Sequence, residues 1–286
     1  MLYTISSGNT SATINSFGAE LSSLIYCENE YMWRGDIWPS HAPVLFPICG
    51  RLFGGKYKYG GKEYAMTIHG FAKKSEFEVE ERSTSRLVLS LKTNVDTLKE
   101  YPFDFKVFAI FEIKDDVLYF DFKVENAGDK VMPYMFGWHP AFALWGDDEI
   151  GSFSLDFGNT NCLTHHILTE SKFVSGAMEA YPIEGGIYRL NEDEMYSQDT
   201  LIFSETEGEC RLYRDADERE VTITWSDNLP YLAIWKWPKS EARYLCLEPW
   251  SGIPGDGVTE EVLEKKVVRF LDAGKSELFS YTVKCK

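Results

Sequence analysis

Two histidines stand out by their surroundings. His69 lies in Ile68-His69-Gly70-Phe71 and His139 in Gly137-Trp138-His139-Pro140, each within two residues of a glycine and of an aromatic residue. Glycine lets the backbone approach a ligand closely, and the rings supply flat apolar surface. A sugar ring suits such a setting, because its faces are C–H groups and its rim is hydroxyls. Trp138 and Trp250 each adjoin or nearly adjoin an ionisable candidate and fit the C–H faces; the other reading is ordinary core tryptophans. Glu248 ends the apolar run Tyr244-Leu245-Cys246-Leu247 and precedes Pro249, which is expected to end the ladder. A carboxylate delivered there either sits on a pocket floor with a raised pKa fit for general-base work, or faces solvent at a strand end. Arg51 follows Pro47-Ile48-Cys49-Gly50 and either pins sugar oxygens or forms a structural ion pair. Asp199 opens the apolar run 200–203 and either accepts from sugar hydroxyls or serves as a turn residue.

Other chemistries have little footing. His165 and His166 are adjacent, so on a strand they point to opposite faces and cannot share one ion. The patterns of zinc proteases, serine hydrolases and phosphate-binding loops are absent, and the acidic group Asp215, Asp217, Glu218 lacks calcium-loop spacing. No metal and no cofactor are expected.

These residues need a scaffold, and the sequence alternates with period two along much of its length. Phe105, Val107, Ala109, Phe111 and Ile113 share one face, a turn follows at 114–116, and Leu118, Phe120, Phe122 and Val124 resume the pattern as a hairpin. Residues 86–93, 221–225, 231–237 and 277–283 are further strand candidates, and Tyr57-Lys58-Tyr59-Gly60-Gly61 reads as a hairpin turn. Helical periodicity is confined to about two turns at 259–265. Many short strands with few helices predict an all-β sandwich or barrel, in one continuous domain of residues 1–286. Residues 40–61, 67–74, 133–145 and 246–257 break the alternation with Gly, Pro, aromatic and ionisable residues, as functional loops on a rigid scaffold do.

Composition narrows the partners. Apolar residues are 44% of the chain, enough for a sizeable core, and 29 basic against 45 acidic residues leave a net charge of −16. That balance disfavours nucleic acid and anionic membrane surfaces as partners. No run approaches membrane-spanning length, the first ten residues carry no signal-peptide pattern, and six cysteines lack zinc or disulfide spacing. A reduced, cytoplasmic setting is expected.

Taken in order, Phe46-Pro47-Ile48-Cys49-Gly50-Arg51-Leu52, His69-Gly70-Phe71-Ala72, Gly137-Trp138-His139-Pro140-Ala141-Phe142, Asp199-Thr200-Leu201-Ile202-Phe203 and Cys246-Leu247-Glu248-Pro249-Trp250 resemble the aldose 1-epimerase (galactose mutarotase) family, and more closely its LacX-like branch. The ordered set covers roughly the whole chain. The resemblance implies a large antiparallel β-sandwich with the sugar on its concave face, Glu248 as general base, His139 as general acid, and His69, Arg51 and Asp199 as substrate-positioning residues. It implies a small-molecule sugar ligand, a hexose or a hexose phosphate, no cofactor, and a monomer or homodimer. Two departures flank the pocket: Pro140-Ala141-Phe142-Ala143-Leu144 replaces the galactose mutarotases' context ending Tyr-Phe-Asn-Leu, and Pro249 replaces glutamine after the glutamate. The sugar is therefore left open. A related branch acting on hexose 6-phosphates has His-Gly-Phe-Ala-Arg, where this chain has Lys73 followed by Lys74. The competing class is a non-catalytic carbohydrate binder on the same scaffold.

Overall fold

The computed structural model describes residues 1–146, 149–194, 200–256 and 268–286. Its architecture is all-β, as the alternation predicts. A nine-stranded antiparallel sheet runs from Ile187–Arg189 at one edge, through Ser276–Cys285, Val117–Asn126 and Phe105–Lys114, to Glu78–Arg82 at the other. An eight-stranded antiparallel sheet includes, in order, Val174–Pro182, Cys162–Leu168, Thr200–Ser204, Tyr231–Trp235, Tyr244–Trp250, Gly137–Trp138 and Val44–Leu45. Ala141–Ala143 also pairs with Tyr244–Trp250. Helix among the described residues is limited to short turns such as Thr97–Glu100. The helical pattern at 259–265 lies outside the described residues.

The hairpin Phe105–Lys114/Val117–Asn126 explains how sequence becomes core. Phe105, Val107, Ala109, Phe111 and Ile113 are all buried, and the register sets Phe111 opposite Phe120 and Ala109 opposite Phe122. A one-residue slip would turn this face to solvent, so the register is firmly set. The two-residue turn holds Asp115 at φ 51° and Asp116 at φ 60°, a twist that matches the flanking strands.

The two sheets meet through aromatic rings. Phe122 stacks on Phe136 with centroids 4.1 Å apart, and Trp138 packs against Phe120 at 4.8 Å and Tyr281 at 5.4 Å. Such pairs contribute about 0.5–1.5 kcal/mol each beyond the area they bury. The Tyr281 hydroxyl donates to the Pro249 carbonyl at 3.2 Å, tying the central strand of one sheet to the other.

Pro249 does not end its strand. Tyr244–Trp250 continues through it, with Pro249 opposite Leu232 and Trp250 opposite Tyr231. On its other flank the neighbouring chain is broken: Ala141 pairs with Cys246 and Gly137 with Trp250, and His139-Pro140 forms the bend between. A proline is tolerated in a sheet where the ladder is already interrupted.

Candidate active site

That interruption creates the site. Cys246, Glu248 and Trp250 alternate onto one face of a wholly buried strand, and the bend opposite brings His139 over them. His139 Nε2 lies 3.2 Å from Glu248 Oε2, with the two residues 7% and 1% exposed. Gly137 is required at this crossing, because a Cβ there would sit 2.5 Å from the Trp250 ring and 3.0 Å from Cys49 Sγ.

His69 approaches from another loop in left-handed backbone, φ 64°, a conformation uncommon for a non-glycine residue and often held at functional sites. Its backbone N–H donates to the Gly50 carbonyl at 2.8 Å, and the Gly50 N–H donates to its Nδ1 at 3.0 Å. Because Nδ1 accepts, the ring proton of neutral His69 sits on Nε2. The His69 ring is 5.5 Å from that of His139 and 5.9 Å from that of Trp250.

Burial governs the electrostatics. It pushes Glu248 well above the usual carboxylate range; the Trp250 indole N–H, on the same strand face, offsets this in part without meeting hydrogen-bond geometry. It pulls His139 far below an ordinary imidazole, and His69 likewise, with His139 as a further cause. The Gly50 N–H aimed at Nδ1 opposes protonation of His69 in the same sense.

A cavity of about 450 Å³ opens over these groups, within the size range of small-molecule sites. Arg51, His69, His139, Glu248 and Trp250 line it, as does Lys73. Arg51 is exposed at the cavity, and no ion pair is found for it among the described residues. Asp199 lies outside the described residues; Thr200 and Ile202, just after it, line the cavity. Trp138 is misassigned as a sugar contact. It is fully buried between the sheets, and its indole N–H donates to the Ala42 carbonyl at 3.2 Å. Its backbone neighbour His139 faces the cavity, and alternation sends Trp138 the other way. Lys74 also points elsewhere, into a separate depression with Asn94 and Asp96.

The sequence profile of the aldose 1-epimerase family matches residues 1–261. The chain belongs to that family. Within it, the chain is similar to the plasmid-encoded protein LacX of Lactococcus lactis subsp. lactis, 27% identical over 264 residues, 88% of each chain. Among solved structures it is similar to a galactose mutarotase-like protein from Lactobacillus casei, with TM-score 0.93, 28% identity and complete coverage of both chains. A galactose mutarotase related enzyme from Lactobacillus acidophilus superposes with TM-score 0.92 and 29% identity, covering 100% of this chain and 97% of that one.

Beyond the family motifs, the wall of the site is aromatic. Trp38 stacks on Tyr244 at 5.6 Å and lies 5.0 Å from the His139 ring, and Trp235 is 5.4 Å from both Trp38 and His139. Trp237 extends the row from Trp235 at 6.0 Å. Sequence reasoning missed all three. Trp235 is placed by the folded register: it faces Cys246 across the ladder, two residues along from the Ala233–Glu248 pair, so its face is that of Glu248.

Proposed function

We propose that the protein interconverts the α and β anomers of an aldose, with Glu248 as base and His139 as acid. The observation carrying this reading is the 3.2 Å approach of two buried titratable groups of opposite type at one cavity. The anomeric hydroxyl and the ring oxygen are attached to the same carbon, so groups this close reach both.

Glu248 takes the proton from the anomeric hydroxyl while His139 delivers one to the ring oxygen. The C1–O5 bond breaks, the planar aldehyde turns, and the ring recloses from either face. Burial disfavours both the carboxylate and the imidazolium, so the pair holds a single proton, on one partner or the other. Ring opening moves that shared proton from His139 to the sugar and returns one to Glu248. The pair therefore ends with the proton count it began with, and closure restores the first arrangement. His69, with Nε2–H facing the site, supplies a neutral donor to a sugar oxygen, and Trp38, Trp235 and Trp250 supply apolar faces.

Polarimetry of freshly dissolved α-anomers tests this. Glu248→Gln keeps shape but cannot accept a proton, and kcat is expected to fall by ~10² or more, within the usual worth of one acid–base group. Near wild-type turnover in that variant would remove Glu248 as the base and make Asp199 the next candidate, whereas no acceleration by the wild type over the uncatalysed rate would leave a carbohydrate binder as the better reading.

One observation favours a second reading of the substrate. Arg51, Lys73 and Lys172 all line the cavity of a chain whose net charge is −16. Burial, with Lys74 adding, brings Lys73 down to about 8. A half-buried lysine at a sugar site suits an anionic sugar such as a hexose phosphate.

A further inference from the structure

We propose that the same pocket floor is an inhibitory site for a thiophilic divalent cation such as zinc, formed by His139, Cys246 and Glu248. One donor atom from each of the three buried side chains lies within 4.8 Å of the others. Cys246 and Glu248 share a strand face, and the bend at His139 closes the third corner. Donors around a tetrahedral zinc sit about 3.3–3.7 Å apart, from bond lengths of about 2.0–2.3 Å. The His139–Glu248 edge already measures 3.2 Å, and side-chain rotation closes the thiol edges. Nitrogen, sulfur and carboxylate oxygen together favour zinc, cadmium or cobalt over magnesium or calcium.

Charge balance supports the assignment. The ion replaces two protons, the one held by the His139–Glu248 pair and that of the Cys246 thiol, both released to solvent. A dication then stands against one thiolate and one carboxylate, and the buried assembly is neutral. Its fourth position opens on the cavity, since His139 and Glu248 line it and Cys246 lies behind them.

The surroundings make this a reversible inhibitor's site and not that of a resident cofactor. A tightly held metal usually has the second nitrogen of its histidine ligand anchored by a carboxylate or carbonyl, whereas His139 Nδ1 is buried with no hydrogen-bond partner among the described residues. The bound ion would occupy the same Nε2 and carboxylate oxygens that the sugar needs. Inhibition thus rests on the acid–base reading above, but metal binding does not.

The experiment separates the two. Cobalt(II) titrated into the chelator-treated protein is expected to give a thiolate-to-cobalt charge-transfer band in the near ultraviolet, abolished by zinc and absent in Cys246→Ser. In parallel, zinc is expected to slow mutarotation at least tenfold at saturation, competitively with sugar and reversibly by EDTA. Against each protein's own metal-free rate, Cys246→Ser should need at least tenfold more zinc. Absence of the band in the wild type, or a band unchanged in Cys246→Ser, overturns the proposal. A Cys246-dependent band with no effect of zinc on turnover upholds metal binding but overturns its inhibitory role, and with it the acid–base pair.

Discussion

On the proposed acid–base reading, the single proton held between His139 and Glu248 sets how turnover should respond to pH. With ordinary values near 4.3 and 6.5, a carboxylate and an imidazole would be jointly singly protonated only between those limits. Burial moves Glu248 up and His139 down. Protonating the neutral pair makes a buried imidazolium, so the acidic limb shifts below 6.5; deprotonating it makes a buried carboxylate, so the alkaline limb shifts above 4.3. The acidic limb therefore falls to about 3, below the ordinary lower limit, and burial of Glu248 carries the alkaline limb upward, so kcat/KM is expected to show no acid-side loss near 6.5. A pH–rate series on an α-aldose checks this, and activity lost through a single step near 6.5, as for a solvated imidazole, would contradict it. Glu248→Gln should abolish the alkaline limb, because the group whose deprotonation ends the plateau is gone.

At the scale of elements, what the sequence revealed and what it hid follow one physical division. The hairpin at 105–126 and the strand at 220–225 were legible because each has one apolar face, and burial on one side writes itself as alternation. Tyr244–Trp250 is buried on both sides, so its pattern carries no facing information and Pro249 read as a strand end. His69, His139 and Glu248 were visible by residue type beside glycine and aromatics, whereas Trp38 and Trp235 enter the site through pairings that only the folded register reveals. Trp138 failed for the same reason, since adjacency in sequence reverses facing on a strand. The loop that carries His69 is itself locked by backbone. Phe71 and Ala72 donate to the Phe46 carbonyl at 3.0 and 3.2 Å, and Gly70 sits at φ 73° where a Cβ would lie 2.2 Å from that oxygen. Gly70→Ala is therefore expected to cost about 2 kcal/mol or more and to displace His69. Thermal unfolding should show a Tm several degrees lower, with KM for the sugar raised; an unchanged Tm would mean that the loop does not depend on this close approach.

Over the whole molecule, a net charge of −16 surrounds a cavity whose titratable lining includes Arg51, Lys73 and Lys172 as well as Glu248. Such a field repels anions at long range, so an anionic substrate gains only from the cations it meets at the cavity, most of all where partial burial strengthens the contact. Lys73 is the informative member, being half-buried between the His69 loop and the cavity and pulled down to about 8 by that burial. An ammonium held there with no hydrogen bond or ion pair among the described residues is costly for a site built for neutral hexoses, and useful for one that receives a phosphate. Lys73→Met removes the charge while keeping an unbranched stem. With a hexose 6-phosphate as substrate, KM is expected to rise about tenfold or more, while the free hexose keeps its KM within about a factor of two, as loss of one charge-assisted contact of about 1.5–3 kcal/mol requires. Added salt should raise KM for the phosphate in the wild type more than in the variant, because the screened contact is the one removed. Equal effects on both sugars would assign Lys73 to packing around His69 and leave neutral aldoses as the substrates.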